Sequence, residues 1–209
     1  MKIAKLLVLT TAITMAVTAL AGAGSAYAVD QEVVLCTLNV LLCPGETEIY
    51  NSGESFLASS GKNTFLGPLN EICESGHIKG KTLASMAKSL PVDTEHSLIG
   101  CAPCTLVLTK SSEGTVTMDE ESGKFLLTTT IETTFSGCSL GAKCTFRAEN
   151  VSLEIKNTEA GTPQIAAEEE ELKLKEGLSG ICGGSCKWDA LYVFSSPKSS
   201  WFSLYELKK

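Results

Sequence analysis

The sequence predicts an all-β protein, an antiparallel β-sandwich or barrel-like domain stapled by short-loop disulfides. Two observations lead to this prediction. Valine, threonine and aromatic residues recur with a period of two along most of the chain, which is typical of strands that bury one face. Nine cysteines among 209 residues are typical of an oxidised, exported protein.

The first 28 residues predict a secretory signal peptide. Lys2 and Lys5 precede an uncharged run over residues 6–20, and Ala26-Tyr27-Ala28 has the small-x-small pattern of a cleavage site. The run is short for a membrane span, which needs about 20 residues. We therefore expect one secreted domain over residues 29–209, extracellular or associated with the cell envelope, with no membrane span after cleavage. Loss of the two lysines changes the net charge from −7 to −9, and this acidity argues against nucleic-acid binding.

Alternation is clearest between Phe125 and Phe135, where one face carries Phe125, Leu127, Thr129, Ile131, Thr133 and Phe135. The same period occurs at Val116 and Met118, at Val151, Leu153 and Ile155, and at Trp188, Ala190, Tyr192 and Phe194. Turn signals separate these segments at Gly67-Pro68, residues 111–114, Glu121-Ser122-Gly123 and residues 195–197. The Ser122-Gly123 signal predicts a hairpin from Met118 to Phe125.

Two segments fit a helix as well as a strand. Residues 81–90 carry apolar side chains at helical spacing, yet residues 81–84 also fit a strand that runs into a loop at Pro91. Residues 166–176 contain four consecutive glutamates and good helix formers, whereas Leu172 and Leu174 alternate with lysines. We favour a strand in both segments.

Eight of the nine cysteines fall into four close pairs: Cys36 with Cys43, Cys101 with Cys104, Cys138 with Cys144, and Cys182 with Cys186. Bridges within these pairs would fix the loops at which strands begin. Cys73 is left over. It is either a free, buried thiol, or it bridges to a distant cysteine and frees one member of a close pair. The pair that we expect to open is the last one, with Cys73 bridged to Cys182 or Cys186.

Two chemical interpretations compete with structural bridges. The Cys101-Ala102-Pro103-Cys104 motif is similar to that of thiol–disulfide exchange, but that chemistry places its first cysteine at a helix N-terminus, and a strand-like segment follows here. Cys101, Cys104, Cys182 and Cys186 together would supply a four-thiolate zinc site, which an oxidising destination disfavours. We therefore predict neither a metal nor another cofactor.

Several short motifs are spread over residues 29–209: Leu35-Cys36 through Leu42-Cys43-Pro44, Cys73-Glu74-Ser75, Lys79-Gly80-Lys81-Thr82, Ser179-Gly180-Ile181-Cys182 and Lys187-Trp188 through Ser196-Pro197. In these motifs the chain resembles a group of secreted, cysteine-rich, β-rich proteins of actinobacterial type. The group pattern has one cysteine before the Lys-Trp strand, whereas this chain has two. The resemblance implies an exported, disulfide-linked β domain, and it implies no particular activity.

Candidate catalytic residues are sparse. His77 and His96, the two histidines, lack a partner at metal-ligand spacing and are interpreted as polar loop residues. The sequence has no Gly-x-Ser-x-Gly elbow. Residues 168–171 are interpreted as a solvated charge run, and residues 119–121 at the hairpin tip as at most a weak calcium site.

The C-terminal aromatics divide into two sets. Trp188, Tyr192 and Phe194 share a strand face and are expected in the core, whereas Trp201 and Tyr205 are candidate binding aromatics. We predict a secreted, non-catalytic structural or binding domain for an extracellular protein or glycan. The alternatives are a secreted hydrolase acting on polysaccharide or peptide, and an inhibitor or adhesin-like module that presents residues 37–42 to a protein.

Overall fold

The structure, a computed structural model, describes residues 31–38, 40–157, 162–197 and 201–207. The signal peptide predicted over residues 1–28 lies outside them. The described strands are β1 Gln31–Cys36, β2 Ser55–Leu66, β3 Glu71–Thr82, β4 Met86–Ala87, β5 Leu90–Ala102, β6 Thr105–Ser111, β7 Glu113–Asp119, β8 Lys124–Ser136, β9 Cys144–Asn157, β10 Pro163–Glu176, β11 Ser185–Ser196 and β12 Trp201–Glu206. One helical turn, α1, spans Ser179–Cys182, and 3-10 turns span Glu46–Glu48 and Ser139–Gly141. Among the described residues, no helix is long and apolar enough to cross a membrane.

Eight strand positions form a closed antiparallel barrel in the order β8-β7-β5-β3-β2-β11-β10-β9, and β9 pairs again with β8. β6 and β7 lie one after the other in a single strand position, because both run antiparallel to β8 and pair with different parts of it. Thr105 of β6 lies opposite Ser136, and Asp119 of β7 lies opposite Lys124. The turn predicted at residues 111–114 is therefore wrong, since the chain is interrupted at Ser112 and continues in the same direction. The prediction of an all-β, barrel-like fold is confirmed.

The barrel interior is filled by the apolar faces of its strands. All six side chains that alternate from Phe125 to Phe135 are buried, as are Trp188, Tyr192 and Phe194, so these predicted faces are confirmed. Phe56 pairs across the sheet with Gly80, and a Cβ on this glycine would lie 2.0 Å from the Phe56 ring. A glycine is therefore required where the Phe56 ring covers the neighbouring strand.

A second, three-stranded sheet in the order β12-β1-β4 covers one end of the barrel. Phe202 packs edge-on against Phe56, with ring centroids 5.5 Å apart, and Trp201 packs edge-on against Phe125 at 6.3 Å. Both partners begin barrel strands at the same end. Trp201 and Tyr205 are consequently buried, and the hypothesis that they are exposed binding aromatics is wrong, because both faces of β12 are covered.

The two ambiguous segments have different outcomes. Residues 166–176 belong to β10, which confirms the strand. In residues 81–90, β3 ends at Thr82, β4 is two residues long and β5 begins at Leu90. Pro91 is therefore inside β5 instead of in a loop, and its carbonyl accepts the Leu83 N–H at 2.9 Å. The predicted hairpin is confirmed, with Asp119 opposite Lys124 and the Gly123 N–H donating to the Asp119 carbonyl at 2.8 Å.

Four disulfides join Cys36 to Cys43, Cys73 to Cys101, Cys104 to Cys138, and Cys144 to Cys182. Of the close pairs predicted from spacing, only the first is formed. Cys73 lies directly opposite Cys101 in the β3–β5 register, so its bridge follows from strand pairing and not from proximity in sequence. Cys186, predicted among the bridged cysteines, is a free, buried thiol, because Cys182 is joined to Cys144.

Candidate functional site

A hydrogen-bonded cluster of five polar side chains lies inside the barrel. The Tyr192 hydroxyl donates to the Asn63 Oδ1 atom, which also accepts the Trp188 indole N–H at 3.3 Å. The Asn63 amide donates to the Ser60 hydroxyl at 2.6 Å. The fifth side chain is His96, whose Nε2 atom lies 2.5 Å from the Tyr192 hydroxyl oxygen. We name Ser60, Asn63, His96, Trp188 and Tyr192 the interior polar cluster.

The local sequence explains how this cluster fits inside an apolar barrel. Strand alternation places Tyr192 on the inward face of β11 and His96 on that of β5. In β2 the alternation shifts by one residue at the exposed Gly61 and Lys62, so that Asn63 lies inward as Ser60 does. Gly76 on β3 leaves the necessary room, since a Cβ there would lie 2.7 Å from the Asn63 Nδ2 atom. The interpretation of His96 as a polar loop residue is therefore wrong. A period of two that links Leu90, Val92 and Leu98 places His96 on the buried face, and this signal could have found it.

Burial lowers the pKa of His96 to about 3, so the imidazole is neutral at neutral pH. The Tyr192 hydroxyl donates its one hydrogen bond to Asn63, so its oxygen accepts the bond from His96. The neutral His96 ring therefore carries its proton on Nε2. Its Nδ1 atom has no hydrogen-bond partner among the described residues. Each hydrogen bond in the cluster therefore has a defined donor and acceptor, from the His96 ring through Tyr192 and Asn63 to Ser60.

This neutral histidine makes stability depend on pH. An unfolded histidine has a pKa near 6.5, so between pH 6.5 and about 3 the unfolded chain binds a proton that the folded chain does not. We expect the free energy of unfolding to fall by up to about 1.4 kcal/mol per pH unit as the pH decreases through this range. Urea titrations at several pH values measure the slope.

The matched variants separate this histidine from other titrating groups. His96→Gln should reduce the slope between pH 6 and 4, and His77→Gln, at the partly exposed histidine, serves as the matched control substitution. Equal slopes in wild type and His96→Gln would contradict the assignment.

A small cavity beside His96 has a volume of about 10 Å³ and is lined by Ile78, Thr94, His96, Leu127, Thr129, Ile131 and Leu153. That volume holds one water molecule at most. Among the described residues, the interior beside His96 is therefore tightly filled.

A surface groove of about 380 Å³ crosses β2, β3 and β5. Lys79 and Lys81 line it directly opposite Glu95 and Asp93 in the strand register. The positive and negative charges of these pairs largely offset one another, so the groove does not select a ligand of one charge.

Ser59 and His77 form a serine–histidine pair on the barrel surface. Ser59 Oγ and His77 Nδ1 lie 3.0 Å apart on opposite residues of β2 and β3. A nucleophilic triad needs a third group that orients the histidine. In the part of the chain that the structure describes, no carboxylate forms a hydrogen bond or ion pair with His77, and the pair therefore lacks that group. Spacing along the sequence could not have revealed it, because the contact depends on the register of two strands.

The carboxylate-rich segments form local surface contacts. Asp119 accepts hydrogen bonds from the Ser122 hydroxyl and the Glu121 N–H, which lower its pKa. Glu168 pairs with Lys156 and Glu169 with Lys187. Glu170 lies at the β10 bulge, where burial raises its pKa. These segments form a hairpin tip and a charged surface.

The cysteines give neither of the alternative centres considered from the sequence. Cys101 and Cys104 belong to separate bridges, to Cys73 and Cys138, so the C-x2-C motif is not a redox pair. The pooled zinc site is wrong for the same reason, because Cys182 is bridged to Cys144. The remaining thiol, Cys186, is unreactive toward deprotonation, since burial raises its pKa to about 12.

The most exposed cluster of aliphatic side chains lies in residues 37–42, which we name the apolar loop. The exposed fraction is 43% for Leu38, 37% for Val40, 62% for Leu41 and 45% for Leu42. The Cys36–Cys43 bridge closes the loop at its base. Beneath it lies a small core of its own, formed by Val34, Cys36, Cys43 and Tyr205.

Backbone hydrogen bonds hold the apolar loop against the free edge of β12. The Leu204 N–H donates to the Leu41 carbonyl at 2.8 Å, and the Cys43 N–H donates to the Leu204 carbonyl at 2.7 Å. The Ser203 hydroxyl donates to the Val40 carbonyl at 2.5 Å. At its start, the Thr37 N–H donates to the Glu48 carbonyl at 2.7 Å. The described residues of the loop, 37, 38 and 40–42, therefore present aliphatic side chains to solvent on a backbone that hydrogen bonds hold at both ends.

Comparison of the chain with protein-family models, curated proteins and solved structures gives no match. The function must therefore be inferred from the geometry of this molecule.

Proposed function

We propose that the protein is a secreted, non-catalytic binding domain that contacts an extracellular protein through the apolar loop. The observation that carries this proposal is the exposure of four aliphatic side chains on a loop that is closed by a bridge and hydrogen-bonded to β12. Apolar side chains clustered at a surface mark contact sites, since exposing them to water is unfavourable.

The rigidity of the loop supports a role in binding. Ordering a flexible loop on association costs free energy, and a loop already fixed in the free protein avoids most of that cost. The Cys36–Cys43 bridge and the bonds to Leu204 supply this preorganisation. A loop with a purely structural role would be expected to direct its leucines into the core, whereas these side chains point outward.

The chemistry of the loop favours a protein partner over a glycan. Sugar-binding surfaces use exposed aromatic rings, and the two candidate rings, Trp201 and Tyr205, are buried. Leucine and valine side chains instead fit an aliphatic pocket on a protein. Glu46 and Glu48 lie just beyond the loop, so a pocket with a neutral or basic rim suits it, and an anionic lipid surface does not.

One observation could support the hydrolase alternative, namely the Ser59–His77 pair. In the described part of the chain, however, this pair lacks a carboxylate that would orient the histidine. We therefore retain the binding domain as the proposed function. The four disulfides are compatible with a secreted protein, since disulfides form and persist in oxidising compartments.

The test compares two variants that remove similar exposed apolar area. Leu38→Ser/Leu41→Ser changes the apolar loop, and Leu140→Ser changes a leucine that is 94% exposed on a distant turn. Labelled protein is titrated onto producing cells, with and without protease or glycosidase treatment of those cells. We expect saturable, protease-sensitive binding that weakens at least about tenfold in the loop variant and is unchanged in Leu140→Ser, since interface anchors typically cost 1 kcal/mol or more when truncated.

Equal weakening in both variants would indicate unspecific adhesion and contradict the proposal. Loss of binding after glycosidase treatment would favour a glycan. Absence of saturable binding by the wild type would remove the loop as a contact site.

A further inference from the structure

The groove that crosses β2, β3 and β5 has a positive wall and a negative wall. Lys79 and Lys81 lie on β3, and Glu95 and Asp93 lie directly opposite them on β5. All four side chains are exposed on the outer face of the barrel. Since successive outward residues of a strand are two positions apart, the two charges of each wall lie roughly 7 Å apart along the strand. The groove therefore has like charges along each wall and opposite charges across it.

The two walls form no ion pair with each other. Residues of opposite charge at directly opposite positions of a sheet attract one another. In the described part of the chain, however, none of these four side chains forms a salt bridge. Elsewhere on the barrel such pairs are closed, with the Lys124 Nζ atom 2.9 Å from Glu154 and the Lys175 Nζ atom 2.8 Å from Glu132. The groove thus keeps its charged groups available to a ligand.

The direction of the Lys81 side chain explains why its pair stays open. A Cβ atom on Gly53 would lie 3.5 Å from the Lys81 Cε atom, so the lysine stem lies near the turn that precedes β2. β2 and β5 flank β3 on opposite sides. The Lys81 side chain therefore leans away from Asp93, which leaves space between the two charges.

The negative wall is extended by a third carboxylate. Asp93 also lies directly opposite Glu113 of β7, and like charges at opposite positions of a sheet repel each other. Among the described residues, no lysine or arginine forms an ion pair with either carboxylate. A cationic group bound here would relieve this repulsion.

The lining of the groove favours a primary ammonium as that cationic group. Sites for quaternary ammonium groups are built from exposed aromatic rings. Phe56 is the one aromatic among the described residues that line the groove, and it is only 2% exposed. A primary ammonium instead donates hydrogen bonds to carboxylate oxygens, which this wall supplies.

We propose that this groove binds a short zwitterionic peptide, the size of a dipeptide, whose two termini are free. The terminal carboxylate has two oxygens and accepts hydrogen bonds from Lys79 and Lys81, and the terminal ammonium donates to Asp93 and Glu95. A ligand that carries both charges satisfies both walls, whereas a ligand with one charge is attracted by one wall and repelled by the other. This site is separate from the apolar loop and does not depend on the function proposed for that loop.

The dimensions of the groove suit a ligand of this size. Two extended residues span roughly 7 Å, enough to bridge strands whose opposite Cβ atoms are about 5 Å apart. The groove volume of about 380 Å³ is near the lower end of the range for ligand sites, about 300–1,000 Å³. Leu57, half-buried and opposite Lys79, offers an apolar contact to a peptide side chain.

Titration of the isotope-labelled protein with alanylalanine, followed by amide NMR at low ionic strength, tests the proposal, because salt screens exposed charges. Two isosteric analogues serve as controls: propionylalanine, which lacks the ammonium, and alanine ethylamide, which lacks the carboxylate. We expect saturable shifts centred on residues 79–81 and 93–95. Each analogue should bind at least about fivefold more weakly, since it loses the charge contacts at one end.

Variants that neutralise charge at similar size locate the peptide. Lys79→Gln/Lys81→Gln and Asp93→Asn/Glu95→Gln should each weaken binding at least about fivefold, because each removes the contacts of one wall. The matched control is Lys124→Gln, which removes an exposed lysine whose charge is already paired with a carboxylate on β9. We expect this control to bind alanylalanine as the wild type does.

The proposal is overturned if alanylalanine gives no saturable shift, if propionylalanine binds equally well, or if the groove variants bind as the wild type does. Shifts at residues 79–81 and 93–95 that depend on protein concentration without peptide would also overturn it, by assigning the groove to a second copy of the chain. None of these results bears on the apolar loop, which Leu38→Ser/Leu41→Ser tests separately.

Discussion

Full reduction of the protein is expected to unfold it near room temperature. The bridges close sequence separations of 7, 28, 34 and 38 residues. The loop-closure expression assigns roughly 2.5 kcal/mol to the first and roughly 3.5–4 kcal/mol to each of the others. Their sum rivals the whole free energy of unfolding of a typical domain, ~5–15 kcal/mol.

Circular dichroism during heating, with and without a phosphine, measures this loss. Thiol counting in denaturant provides the control, because one thiol is expected before reduction and nine after it. Single-pair variants give a graded comparison, with Cys36→Ser/Cys43→Ser losing less stability than Cys144→Ser/Cys182→Ser. An unchanged melting temperature in protein with nine free thiols would show that the barrel is stable without its bridges.

Asn63→Ala is expected to lower the free energy of unfolding by about 3–5 kcal/mol. The Asn63 Oδ1 atom accepts hydrogen bonds from both Tyr192 and Trp188 inside the barrel. Its removal leaves two buried donors without a partner, at about 1–3 kcal/mol each, and a cavity in addition.

Urea titration of two further variants separates the cluster from the strand that carries it. Tyr192→Phe should cost less than Asn63→Ala, about 1–3 kcal/mol, because it leaves a single donor, His96 Nε2, unpaired. Thr64→Ala, at the next residue of β2 and on the opposite face, should cost less than about 1 kcal/mol. If Thr64→Ala lowered the free energy of unfolding as much as Asn63→Ala, the loss would come from disturbing β2 and not from the polar cluster.

The strands were predictable because burial of one face imposes a period of two. The inward face from Phe125 to Phe135 follows from this period alone, and so does the face that carries Trp188 and Tyr192. The interruption at Ser112 was not predictable, because a turn and a break within one strand position share the same small, polar residues.

The contacts of the candidate sites were less predictable, because they depend on which strands are neighbours. Cys73 bridges Cys101 because β3 pairs with β5 in a register that places them opposite each other. The burial of Tyr205 depends on β12 lying beside β1 and against the small core under the apolar loop. The apolar loop itself was recognisable from its cysteines, while its attachment to Leu204 required the fold.

The order of strands around the barrel has a consequence for how the chain acquires its structure. The ladder between β2 and β11 joins residues 55–66 to residues 185–196, and β1 pairs with β12 at residues 201–206. A chain delivered progressively from its N-terminus therefore keeps the early strands without their final partners until nearly the last residue has arrived. Contacts between such distant segments form slowly, because a long loop must close first. Folding is thus a late, collective event that follows delivery of the chain, and a nascent chain halted before residue 185 exposes the edge of β2 to any other strand that it meets.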